Sequence, residues 1–254
     1  MSLRRLRPLT GGVLLATSRR WRTTTTVVLG PARTALLVDP AWTPDEVAGL
    51  AAELRALHLR VVGGLSTHGH YDHVLWHRDL PRVPRWGSAA TAAQAATGWP
   101  AMLAELGPGY PLALYAGQPP VRALAGDRVR WAGPEVRAIV TGAHEVGHTA
   151  FWLPRERVLL AGDLLSDVEV PLLADGDVDA AAYRAGLAVL EPFVRRARFV
   201  VPGHGAPTAD GAARLAADRR WLDALDGGAA PEGDPRIADP ENAREWARQR
   251  ALRR

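Results

Sequence analysis

A chain of 254 residues is long enough to bury a substantial core in one domain, and 47% hydrophobic with 23% charged residues excludes extensive disorder and biased repeat architectures. The net charge of +4 is small, and the densest basic runs lie around Arg4 to Arg7 and Arg244 to Arg254, so no nucleic-acid partner is expected. The absence of cysteine removes disulfides, thiolate ligands and cysteine nucleophiles, which leaves histidine and carboxylate to hold any metal.

No apolar segment approaches the length of a membrane span, so no membrane association is expected. The run Gly11 to Ala16 is shorter than a signal-peptide core and leads into Arg19 and Arg20, which reads as a first strand of a cytoplasmic protein. Strands are predicted over Gly12–Thr17, Thr24–Leu29 and Thr34–Val38, separated by arginine-rich or Gly-Pro turns. Thr43-Pro44-Asp45-Glu46 combines an N-cap, a proline at the first helical position and an acid three residues after the cap. An amphipathic helix carrying Val47, Leu50, Leu54 and Leu57 follows, ending near His58.

Arg60–Leu65 reads as a buried strand that delivers a histidine-rich stretch. Ser88–Ala96 reads as helix, whereas 98–118 lacks clear periodicity and reads as a covering loop. Further strands are predicted at Asp127–Trp131, Glu135–Val140, Thr149–Leu153, Arg157–Ala161 and Arg198–Val201. A helix over Asp179–Val194 and helices from about 210 to 225 and 240 to 252 complete a single domain spanning residues 1–254. Two β-rich blocks, each followed by helices, suggest facing sheets with helices outside, an α/β layout that periodicity alone does not distinguish from others.

The stretch Thr67-His68-Gly69-His70-Tyr71-Asp72-His73 places three imidazoles and a carboxylate directly after a predicted strand. In extended chain, His68 and His70 face the same way. Neutral imidazole and carboxylate are ligands that zinc accepts, and the bend that follows offers enough of them for two adjacent ions. The bland alternative is a solvated histidine-rich loop.

His68-x-His70-x-Asp72-His73 resembles the signature of the metallo-β-lactamase superfamily. Gly147-His148-Thr149, Ala161-Gly162-Asp163 and Pro202-Gly203-His204-Gly205 resemble its later motifs, in order, and Asp39 ends an early strand where that family often has an aspartate. The resemblance runs from about Leu14 to Gly205 and implies a four-layer αββα sandwich. Carried over residue by residue, it implies that His68, His70 and His148 bind one metal, that Asp72, His73 and His204 bind the other, and that Asp163 bridges them. The implied cofactors are two divalent ions, zinc first, with iron or manganese also compatible. The implied activity is hydrolysis of a small ester, thioester, lactone or β-lactam by a hydroxide shared between the ions, with Asp72 able to relay a proton to the leaving group. The expected partner is a small-molecule substrate. A phosphodiesterase or nuclease on the same scaffold, or a metal-binding module without catalysis, are the alternatives. Nothing in the sequence fixes the oligomeric state.

A rival motif overlaps the site. His144-Glu145-Val146-Gly147-His148 fits the H-E-x-x-H pattern of zinc proteases, which requires a helix. Glycines at 142 and 147 and the β-like runs on either side argue against one. His144 is therefore expected to support the site rather than ligate. Asp39 is expected either to orient a ligand's ring or merely to cap a turn. His58 and His77 receive no role, and Trp42, Trp76 and Trp99 are candidates for a pocket wall.

Overall fold

The computed structural model describes residues 5–173, 179–227, 229, 231 and 233–252. Strands β1 (Arg7–Thr10), β2 (Val13–Thr17), β3 (Thr24–Leu29) and β4 (Thr34–Val38) form an antiparallel meander. Helix α1 (Pro44–Ala56) then crosses over to β5 (Arg60–Leu65), which runs parallel to β4. After the single turn α2 (Tyr71–Val74), the short strand β6 (Arg85–Gly87), helices α3 (Ala89–Thr97) and α4 (Trp99–Leu106), and β7 (Val121–Ala123) complete a seven-stranded sheet in sequence order.

The second sheet has four strands, β8 (Arg137–Val140), β9 (Thr149–Leu153), β10 (Val158–Gly162) and β11 (Phe199–Pro202), in spatial order β11-β10-β9-β8. Helix α5 (Ala180–Val194) joins β10 to β11, which pair in parallel, and α6 (Gly211–Gly227) and α7 (Pro240–Ala251) follow. No described helix is long and apolar enough to cross a membrane.

The period-2 alternation of buried strands sorts the core into layers. Leu36 and Val38 point inward to meet Phe151, Val158 and Leu160 of the facing sheet. Their neighbours Ala35 and Leu37 point outward onto Val47, Leu50 and Leu54 of α1. On the far side, Trp152 and Leu159 meet Leu187 and Leu190 of α5 and Leu222 of α6. These clusters define helix, sheet, sheet, helix: the expected αββα sandwich. Continuous apolar strands are what burial on both faces demands.

Most predicted elements form within a residue or two of their expected bounds, but several differ. The 98–118 segment holds helix α4 and a 3-10 turn at Leu112–Leu114 instead of an irregular loop. Its apolar side packs Leu103, Tyr110 and Tyr115 onto Trp42 and Leu75, a burial that outweighs weak local periodicity. Asp127–Trp131 forms no strand and contributes one isolated bridge, Arg128 to Arg137. Strands β1, β6 and β7, of three or four residues each, are too short to leave a periodic signal. At α1 the Thr43 hydroxyl donates to the Glu46 carboxylate at 2.8 Å rather than capping a backbone N–H. Glu46 is buried and also accepts from Ser18 Oγ at 2.6 Å and the Arg19 N–H at 2.9 Å, so the capping pair is diverted to tie α1 to the β2–β3 turn.

The C-terminal segment straps the loop that leaves β10. Buried Arg236 pairs with Asp218 of α6 at 2.6 Å and with Asp234 at 2.8 Å, and donates to the carbonyls of Ser166 and Glu169. Asp218 in turn accepts from the Leu165 N–H at 2.9 Å. Farther along, Asn242 donates to Val168 O at 2.7 Å and Gln249 to Pro171 O at 2.7 Å.

Candidate metal centre

Sheet direction carries the histidine motifs to one end of the sandwich. Asp39 follows β4 and His68 follows β5, and these strands are parallel; Asp163 follows β10 and His204 follows β11, which are parallel too. Because β9 is antiparallel to β10, its start, with the 141–148 loop before it, lies at the same end. Backbone bonds across the sheets close this end: Thr149 N–H to Thr67 O at 2.8 Å and Thr24 N–H to Gly203 O at 2.6 Å.

Two groups of donor atoms converge there, and a third, Asp163, Glu169 and His204, shares a member with each. His68, His70, His144 and Asp163 bring one ligand atom each within 4.8 Å of one another, and Asp72, His73 and His204 do likewise. In the first group His68 Nε2 lies 2.9 Å from His70 Nδ1, and His144 Nε2 lies 3.2 Å from that same nitrogen. In the second, His73 Nε2 and His204 Nε2 are 3.2 Å apart, and Asp72 Oδ2 is 3.4 and 3.2 Å from them. Asp163 joins the groups: its Oδ1 is 3.2 Å from His73 Nε2, and its Oδ2 is 3.4 Å from His68 Nε2 and 3.3 Å from His204 Nε2.

The structure brings together six of the seven side chains expected as ligands, and the exception is His148. Its ring is adjacent, but Nε2 accepts the backbone N–H of Asp163 at 3.1 Å and Nδ1 lies 2.8 Å from Thr141 Oγ1. Both nitrogens are engaged, so His148 supports Asp163 while His144, expected to be the supporting residue, occupies the donor position. The reason is the loop's backbone. Gly142, His144 and Gly147 all have positive φ, at 62°, 66° and 78°, which folds the chain back so that the earlier histidine reaches the cluster. This also removes the protease reading, since no helix spans 144–148. Sequence spacing alone gives no sign of which histidine points inward.

Asp39 braces the ring of His73 rather than merely capping a turn. Its Oδ2 is 3.0 Å from His73 Nδ1, and it accepts from the Thr67 N–H at 2.9 Å and the Thr67 hydroxyl at 2.8 Å. His204 Nδ1 lies 2.9 Å from Trp21 O, and Glu145 Oε2 lies 2.8 Å from His70 Nε2, so each of these rings presents its other nitrogen to the cluster. His77 sits edge-on to Tyr115 and accepts the Asp79 N–H, outside the cluster.

Burial disfavours charge on every group here, yet the groups divide. Burial pushes His68 well below the ordinary histidine value, His144 down to about 3 and His148 down to about 4. These rings are neutral, the form that binds a cation. Burial would also neutralise Asp163, but His73 and His204, which the neighbouring carboxylates raise well above the ordinary histidine value, carry charge and hold that carboxyl well below its usual range.

The donor set fits metal binding. Zinc–nitrogen bonds of about 2.05 Å in a tetrahedron place adjacent ligand atoms roughly 3.3 Å apart, close to the spacings above. Asp163 Oδ1 is buried and accepts no hydrogen bond, an orphaned acceptor of the kind that a cation satisfies. Gly203 makes this approach possible: a Cβ there would fall on Asp163 Oδ1 and lie 3.0 Å from His73 Cε1. Gly203→Ala is expected to displace the carboxylate and lower kcat/KM by about 10²-fold, together with bound metal. Metal content and activity equal to the parent would show that this close approach is not needed.

A pocket of about 640 Å³ opens on the cluster, lined in part by Trp21, Tyr71, Met102, Leu172 and Glu169. Glu169 escaped the sequence reading because it belongs to no motif. Burial pushes its carboxyl up to about 8, and its Oε1 lies 3.4 Å from His204 Nδ1. None of Trp42, Trp76 and Trp99 lines this pocket; the tryptophan that does is Trp21, which packs on Trp42 with ring centroids 5.2 Å apart.

An αββα sandwich with a histidine–aspartate cluster at one end of its sheets defines a metal-binding class of fold. Residues 19–226 match the metallo-beta-lactamase superfamily, and the chain belongs to that family. It is 30% identical over 139 residues to a hydroxyacylglutathione hydrolase of Synechococcus sp. (strain JA-3-3Ab), covering 52% of this chain and 44% of that protein. It is also 30% identical over 182 residues to the lactamase-like protein vrtG of Penicillium aethiopicum, covering 70% and 49%. The chain thus spans about half the length of these curated relatives. Among solved structures, a metallo-beta-lactamase from Pontibacter korlensis superposes with a TM-score of 0.68 at 21% identity, over 86% of this chain and 98% of that one, a likeness of fold.

Proposed function

We propose that this protein is a dinuclear metal-dependent hydrolase of a small ester, thioester, lactone or β-lactam-type substrate. The convergence of both Asp163 oxygens with two sets of buried donors at the floor of one pocket is the observation that carries this reading. His68, His70 and His144 would hold one ion and Asp72, His73 and His204 the other, with Asp163 between them. Zinc suits this nitrogen-rich set best, and iron or manganese are the other ions it accepts.

A bound pair of divalent ions supplies Lewis acidity and a nucleophile at neutral pH. The chain's own residues do the remaining work. Asp39 and Trp21 O fix the rings of His73 and His204, and the His148–Asp163 bond fixes the shared carboxylate. Asp72, buried between two imidazoles that hold its carboxyl well below the usual range, would relay a proton to the leaving group rather than keep one. Trp21, Tyr71, Met102 and Leu172 give the pocket an apolar side for the non-reacting part of the substrate.

Asp163→Ala is expected to abolish hydrolysis across a panel holding a thioester, a lactone, a β-lactam and a phosphodiester, and to lower bound metal by mass spectrometry. Full activity in that variant would sink the reading, and selective cleavage of the phosphodiester by the parent protein would move it to the phosphodiesterase class.

A further inference from the structure

A smaller cleft of about 110 Å³ shares no lining residue with the metal pocket. Val74, Ala95, Ala96, Trp99 and Pro120 contribute to its wall, and Arg85 of β6 is the one ionisable side chain in it. Ala96 and Pro120 are exposed, so the cleft opens to solvent, whereas Arg85 is only 2% exposed. A guanidinium buried this deeply is normally paired with a carboxylate, as Arg236 is. Arg85 makes no ion pair among the described residues. Its Nη1 donates to Pro119 O at 2.9 Å and Gln118 Oε1 at 3.3 Å, its Nη2 donates to Val74 O, and its carbon lies 4.8 Å from the ring centroid of Trp76. Its Nε is buried and finds no acceptor among the described residues. Burial lowers its pKa to about 9; Asp39 is the acid whose charge opposes this, and that carboxylate is engaged by Thr67 and His73.

Three hydrogen bonds, all to neutral oxygens, therefore serve a group with five N–H donors. Taking a positive charge out of water without a counter-charge is costly, and the Trp76 face offsets only part of that cost. The site lacks one negative charge. Since a water molecule takes up about 30 Å³ of the liquid, the cleft has room for about three or four waters, or for one anion of three or four heavy atoms. We propose that this cleft binds a small monovalent carboxylate, whose oxygens accept from the unused N–H groups of Arg85. A dianion would exchange one uncompensated charge for another. The flat apolar sides that Trp99 and Pro120 supply suit a planar ion better than a tetrahedral one.

The test titrates sodium formate into zinc-loaded protein and follows the Arg85 Nε–H signal by heteronuclear NMR, with sodium sulfate holding the ionic strength constant. The signal is assigned by its absence from Arg85→Lys. A saturable shift is expected with a Kd of about 1 mM or somewhat weaker, because a ligand of so few heavy atoms can bind no more tightly than roughly that. Ala95→Leu fills the cleft and leaves Arg85 in place, and is expected to weaken formate binding at least about tenfold. Ala96→Leu at the rim takes its place if the amide spectrum shows that the first variant does not fold. A shift that persists unchanged in the folded, cleft-filled variant reports formate bound elsewhere, such as at the metals, and overturns the proposal. So does a signal that stays still up to about 100 mM formate, a hundredfold above the expected limit, or one that responds equally to formate and to sulfate. The readout needs no turnover, so it decides this site whether or not the hydrolase reading holds.

Discussion

Alanine at His144 is expected to weaken the first site, which then keeps only His68, His70 and the shared Asp163, so that bound metal falls from about two ions per chain toward about one when metal is limiting. His144 Nε2 stands 3.2 Å from His70 Nδ1 and 3.4 Å from Asp163 Oδ2, with no other group of the loop in its place. Alanine at His148 is expected to behave differently. That ring holds the Asp163 backbone N–H at 3.1 Å, so its loss loosens the shared carboxylate without removing a donor. The cost should be about 10- to 100-fold in metal affinity or activity, the range typical of residues that orient ligands, with both ions still bound at saturating metal. Metal analysis and kcat/KM measured on both variants decide the matter. If His148→Ala loses a full equivalent of metal while His144→Ala keeps both, then His148 is the ligand and His144 the supporting residue.

Arg236→Met is expected to destabilise the fold by about 3–5 kcal/mol, since it leaves buried carboxylates without their counter-charge. Asp218 and Asp234 both pair with this guanidinium, and burial already pushes the Asp218 carboxyl upward. The damage should reach the metal centre, because Arg236 also binds the carbonyls of Ser166 and Glu169 in the loop that follows Asp163. Urea denaturation at fixed metal concentration measures the loss, and a change under about 1 kcal/mol, the size of an ordinary surface substitution, would show that the strap is dispensable. The triple variant Asp218→Asn/Asp234→Asn/Arg236→Met should recover part of the stability, because no uncompensated charge remains.

Much of this was legible in the residue order. The β3, β4, β5 and β9 strands carry continuous apolar or β-branched runs and form over the residues that pattern indicates, and the N-cap Asp179 accepts the Ala182 N–H at 2.8 Å as its position before an apolar periodicity implies. The HxHxDH stretch, Asp163 and His204 announced a metal site because few other arrangements bring so many neutral nitrogen and carboxylate donors together without cysteine. The α4 helix was hidden because its burial against Trp42 and Leu75 is a tertiary gain, absent from local periodicity.

Residue order established the donor types and the strand ends from which they project, since these follow from side-chain alternation and chemistry that act locally; the layer order came from the resemblance to the metallo-β-lactamase superfamily, because alternation by itself left the layout open. Folding in three dimensions was needed to settle which of His144 and His148 faces the cluster, that Asp39 braces His73, and that Glu105, Glu169 and Glu241 share one pocket. Those facts depend on left-handed turns and on contacts between residues as far apart as 34 and 74 positions, which no local pattern encodes.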